Sequence, residues 1–180
     1  MISRPKEGKT MSLAASFLPE FDHEFANTRR MLELVPNDHL SWKPHEKSMD
    51  LGRLAWHVAD FPSWCNDLMS KPGLSMTAED GAEYAEERTG KKREDVLARF
   101  DKDLPEAREA LAATSDEEMA RNWKMEWMGQ TVIDMPRIAV YRSMVMNHMM
   151  HHRAQLGVYL RLLNIPIPGL YGPSADEMPS

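Results

Sequence analysis

A chain of 180 residues is long enough for one domain that buries roughly 70% of its unfolded surface. With 28% charged residues, a formal net charge of −6 and no basic cluster interleaved with aromatics, it argues against nucleic acid or an anionic membrane as the main partner. Its one cysteine, Cys65, excludes an intrachain disulfide and a cysteine-built zinc cage, and fits a reducing cytoplasm.

Residues 1–11 read as a polar leader, with Met11 an alternative start, no signal peptide, and no segment apolar enough to span a membrane. Residues 12–177 read as a single domain. The first helix is expected over residues 12–34, with Leu13, Phe17, Phe21, Phe25, Thr28 and Leu32 on one stripe and Pro36 stopping it. A second runs from its N-cap Asp50 to Met69, with Leu54, His57, Val58, Phe61, Trp64, Cys65 and Leu68 inward. Pro62 should kink it, because its missing N–H leaves the carbonyl of Val58 without a partner. Residues 71–90 read as a loop with one short helix near residues 79–88. The third long helix covers residues 93–113, with Val96, Leu97, Phe100, Leu104, Ala107 and Leu111 inward.

In residues 121–134, Trp123, Met125 and Trp127 alternate with charged residues and Gly129 turns the chain, the pattern of a short β-hairpin or extended flap. The last helix opens with Pro136 in its first turn and ends near Leu163, before Pro166 and Pro168. Four long helices with long crossovers predict an all-α fold, an antiparallel four-helix bundle with a short hairpin before the last helix.

The last helix carries the candidate site. His148 and His152 are four residues apart, which stacks their rings about 5–6 Å apart at Cβ. At about 100° per residue, Tyr141, Met144, Val145, Gln155, Tyr159, Leu162 and Leu163 share their face, so both histidines point inward. A metal is one of few partners that would want both, and His57, on the apolar side of the second helix but toward its edge, is the third ligand. Three histidines leave a coordination position open, the catalytic rather than the structural arrangement. His151 flanks the site on the wheel. Gln155 and Asp60, close to His152 and His57 in sequence, are placed to orient ligand rings. His23, His39 and His45 read as solvated. Position 149 is Met, so the HExxH pattern of a zinc protease is absent. A Cu(I) site through Met144 yields to methionine's ordinary role as core filler, and Cys65 lacks an activating base. Met146, Met150, Ala139 and Gly157 form a second stripe on the opposite face, a candidate dimer contact.

Three segments carry a family resemblance: Ser41-Trp-Lys-Pro44 followed by Leu51-Gly-Arg-Leu-Ala-Trp-His-Val-Ala-Asp60, the run from Asn147 to Leu163, and the tail from Ile165 to Glu177. Together they resemble the DinB/YfiT-like family of metal-binding four-helix bundles across residues 12–177, with residues 70–135 matching by order and length. Ala154 departs from the Gly often found there. The resemblance implies the same three ligands, a divalent Ni²⁺ or Zn²⁺, frequent homodimers, and a superfamily with thiol-dependent transferases and isomerases. The expected function is a metal-dependent S-transferase in which a low-molecular-weight thiol attacks a small-molecule electrophile. The alternatives are a hydrolase that activates water at the same site, and a stress-associated bundle that binds metal without chemistry.

Overall fold

The computed structural model describes residues 11–87 and 89–178, so the expected leader lies outside the described residues except for Met11. The chain is mostly helical, with one small sheet. The first expected helix is divided into α1 (Leu13–Ser16) and α2 (Leu18–Leu32). Pro19, near the start of α2, has no N–H to continue the ladder, and Phe17 sits at the joint. Phe21, Phe25, Thr28 and Leu32 are fully or almost fully buried, as the stripe predicts, but Leu13 is exposed.

The second helix is also two: α3 (Leu51–Ala59), capped by the Asp50 carboxylate accepting from the Arg53 N–H at 2.8 Å, and α4 (Phe61–Ser70). The break falls at Asp60, two residues before Pro62, where the Asp60 N–H is shared between the carbonyls of Trp56 and His57. Every residue of α3 except Arg53 is buried, so α3 is a central helix rather than one with a single inward stripe. α5 (Ala78–Glu87) fills the expected short helix, and α6 (Arg93–Ala113) has the expected bounds despite an internal Pro105.

After the short α7 (Asp116–Ala120), the expected hairpin is present as β2 (Asn122–Trp127) and β3 (Gln130–Pro136). Its turn places Met128 and Gly129 at φ +50° and +75°, a left-handed pair that glycine makes affordable. The sheet has a third strand that the sequence reading leaves as loop. This is β1 (Gly73–Met76), which pairs parallel to β2 and corrects the expectation of an all-α chain with one hairpin.

The last helix begins as α8 (Arg137–Val140), one residue after the expected Pro136, passes through a π-helical segment at Tyr141–Asn147, and continues as α9 (His148–Leu162). α4 and α2 pack on α6, while α3 packs on α9. The π-helical turns alter the angular step assumed for residues 141–147. Tyr141, Val145 and Tyr159 are buried as expected, yet Leu162 is 56% exposed. Met146, on the stripe read as a dimer contact, is fully buried in this chain's own core. Gly157 lies close to Met31 of α2, so that stripe is largely used within the chain.

Two buried arginines tie the elements together. Arg137 donates to the carbonyls of Leu68 and Lys71 at the end of α4 and to Glu118 of α7. Arg153 on α9 donates to the Glu24 carboxylate at 2.6 Å and to the Glu24 carbonyl at 2.9 Å, and Tyr171 of the tail donates to the same carboxylate at 2.7 Å. Among the described residues no helix is long and apolar enough to cross a membrane.

Candidate metal centre

His57 stands in the last turn of α3, and His148 and His152 in the first turns of α9, directly after the π-helical segment. Packing of α3 on α9 brings the three rings together. The Nε2 atom of His148 lies 3.5 Å from that of His57 and 2.9 Å from that of His152. One ligand atom from each histidine lies within 4.8 Å of the others, so the three are positioned to bind a metal ion. Two imidazoles on one tetrahedral zinc, each bonded at about 2.0–2.1 Å, stand roughly 3.3–3.4 Å apart at nitrogen. The observed separations bracket that value, and three neutral nitrogen donors suit a divalent ion.

His57 is 6% exposed, deeper than the rim position expected for it, while His148 and His152 are half-buried. The rings of Phe61 and Trp64, on the turns after His57, pack against it at centroid distances of 5.3 and 5.2 Å. The same two side chains touch His148 at 5.1 and 5.6 Å, so one side of the cluster is an aromatic wall.

Gln155 lies where the sequence expects it, its Oε1 2.7 Å from Nδ1 of His152. With Nδ1 donating to that oxygen, Nε2 of His152 keeps its lone pair for a metal. His151 is exposed and meets the His152 ring edge-on at 4.9 Å, a flank position. Asp60 is 1% exposed and accepts from Arg99 Nε at 3.1 Å. Burial opposes the charge of Arg99, but Asp60 and Asp103 together hold its guanidinium above the ordinary arginine range. His23, His39 and His45 are exposed and stand apart from the cluster. Cys65 is fully buried, and burial pushes its thiol up to about 12, which removes it as a nucleophile at neutral pH.

A cavity of about 380 Å³ adjoins the cluster and shares Trp64 with it. Its walls come from α4, α5, α6, α8, the π-helical segment and all three strands. Sequence reasoning missed this space, since strand β1 and the seating of α5 depend on contacts distant in the chain. Phe61 and Trp64, following His57 at helical spacing on one apolar stripe, were the signal for the aromatic wall.

A sequence model of the DinB family matches residues 10–179. The chain is 23% identical over 161 residues to YrdA of Bacillus subtilis (strain 168), covering 89% of each protein. Its fold resembles a DinB-like protein from Bacillus cereus ATCC 10987, with a TM-score of 0.64 at 20% identity over 89% of this chain and 99% of the other. It also resembles a putative DinB-family member from Exiguobacterium sibiricum 255-15, with a TM-score of 0.65 at 20% identity over 90% of this chain and 100% of the other. The DinB-like protein YjoA of Bacillus subtilis gives a TM-score of 0.61 at 19% identity over 86% and 96% of the two chains. With the match running through nearly all of its length and the fold shared, the chain belongs to the DinB family.

Proposed function

We propose that this chain is a metal-dependent S-transferase, with His57, His148 and His152 holding a divalent nickel or zinc ion. The observation that carries the reading is the convergence of three Nε2 atoms, one of them on a ring whose Nδ1 is held by Gln155. A divalent ion at that point supplies a positive charge that favours the thiolate form of a low-molecular-weight thiol. The chain's own residues do the rest. Gln155 fixes the tautomer of His152, Phe61 and Trp64 exclude water from one side, and the adjoining cavity receives the electrophile. Hydrolysis ranks lower, because Asp60, the buried carboxylate one turn after His57, is held in an ion pair by Arg99.

The test is metal analysis of the purified protein together with thiol transfer to a small electrophile. Stoichiometric metal, transfer abolished by chelation and restored by Ni²⁺ or Zn²⁺, and metal lost in His152→Ala support the proposal. A metal-loaded protein inert with every cellular thiol overturns the transferase reading, and stoichiometric metal in His152→Ala overturns the ligand set.

The same proposal takes the long helical segments as an antiparallel four-helix bundle working in the cytoplasm, which the single buried thiol suits. It also takes the protein as a homodimer. Val158 and Leu162, 59% and 56% exposed on α9, offer apolar surface to a second copy, and sedimentation velocity decides it.

A further inference from the structure

The cavity beside the histidines has a composition that selects its occupant. Leu74 and Met76 of β1, Met125 of β2, Ile133 of β3 and Val140 of α8 give it mainly apolar walls, and Trp64, whose ring also touches His57 and His148, lines it with them. A cavity of about 150 Å³ holds one benzene ring. This one, at about 380 Å³, has room for a bicyclic molecule with a substituent.

The charges at its edge are already committed. Arg99 is paired with Asp60 at 3.1 Å and with Asp103 at 3.3 Å. Asp67 is paired with Lys71 at 2.7 Å, and the Asp80 carboxylate accepts from the N–H and hydroxyl of Thr77 at 2.7 and 2.8 Å. Two carboxylates and one guanidinium line the space, so the described lining is net negative and its only cation faces two acidic partners. An anionic ligand would enter an apolar space with no uncommitted positive charge among these residues, which carries a desolvation cost without compensation.

We propose that this cavity binds an uncharged, largely apolar molecule of bicyclic size, seated against Trp64 and excluding anionic analogues. As the electrophile site of the S-transferase it rests on the function proposed above; as a binding site it stands without it.

Calorimetric titration with naphthylmethanol and with naphthoate tests the proposal, using metal-loaded protein and the same protein after chelation. Naphthylmethanol is expected to bind saturably in both samples. Naphthoate is expected to bind at least about tenfold more weakly in the chelated protein, where its carboxylate has no metal to reach. Leu74→Trp and, separately, Ile133→Trp fill the space from strands that carry none of the three histidines. Each is expected to weaken naphthylmethanol by at least about tenfold with metal content unchanged. If one variant does not fold, the other decides.

No saturable binding of the alcohol, equal or tighter binding of naphthoate after chelation, or wild-type affinity in the folded variants overturns the proposal. A protein that holds no metal yet binds the alcohol sinks the S-transferase and keeps the cavity site. One that holds metal and transfers thiols yet ignores the alcohol does the reverse.

Discussion

Gln155 Oε1 lies 2.7 Å from Nδ1 of His152, on the side of the ring away from His148. That contact sets which nitrogen carries the proton, so it acts on metal affinity without touching the metal. Gln155→Leu is expected to weaken metal binding by about 10–100-fold while helicity is retained. Competition with a chromogenic chelator measures it, and unchanged affinity removes Gln155 from the site.

The Glu24–Arg153 pair, with side chains 7% and 2% exposed, is a buried ion pair between α2 and the helix that carries two of the histidines. Glu24→Met leaves Arg153 charged and without its carboxylate partner, a loss of about 3–5 kcal/mol. The double variant Glu24→Met with Arg153→Met should recover much of that loss, because neither charge is then buried. Urea unfolding of the three proteins reads both values. A single variant that unfolds at the wild-type midpoint contradicts the argument.

Burial raises two groups in the core. The Cys65 thiol moves from its ordinary 9.0 to about 12, and the Tyr141 hydroxyl moves above its ordinary 10.0, in both cases with burial as the largest cause. The unfolded chain releases these protons at lower pH than the native one. The contribution of Cys65 is therefore complete below about pH 9 and is lost as pH rises through the interval up to about 12. For Cys65 the slope is about 1.4 kcal/mol per pH unit within that interval. Urea midpoints should fall between about pH 8 and pH 10.5, less steeply in Cys65→Ala; parallel slopes would show that Cys65 is not responsible.

Gly81 of α5 gives room to the ring of Trp127, since a Cβ built there would stand 2.3 Å from the indole. On helix propensity alone, Gly81→Ala should stabilise by about 1 kcal/mol. Displacement of Trp127 reverses the sign, and the variant is expected to lose stability and shift its tryptophan emission to longer wavelength. A gain in stability with an unchanged spectrum counts against this seating.

Much of the frame was legible because it is written locally. The bounds of α6, the Asp50 cap and the buried stripe through Phe21, Phe25, Thr28 and Leu32 follow from spacing, capping chemistry and apolar period. His57, His148 and His152 were legible as a set because two lie one turn apart and the third falls on an apolar stripe. Three features were not. The π-helical segment ahead of His148 has no local signature, and it changes the angular step only for residues 141–147. Strand β1 is only Gly73–Met76 and exists through its pairing with β2. Arg137 looks like any charged residue at a helix start until the carbonyls of Leu68 and Lys71 close around it.

The parallel pairing of β1 with β2 also orders events in time. Residues 73–76 meet residues 122–127 only after the intervening chain, with α5, α6 and α7, has returned to the same edge. A parallel pair of this kind gains nothing until the long loop is closed, so helix docking precedes strand addition during folding. In the native protein the four residues of β1 are then expected to exchange their amide hydrogens before α3 and α9. The histidine cluster is thereby built on two well-buried helices, and the neighbouring wall includes a strand expected to open more readily.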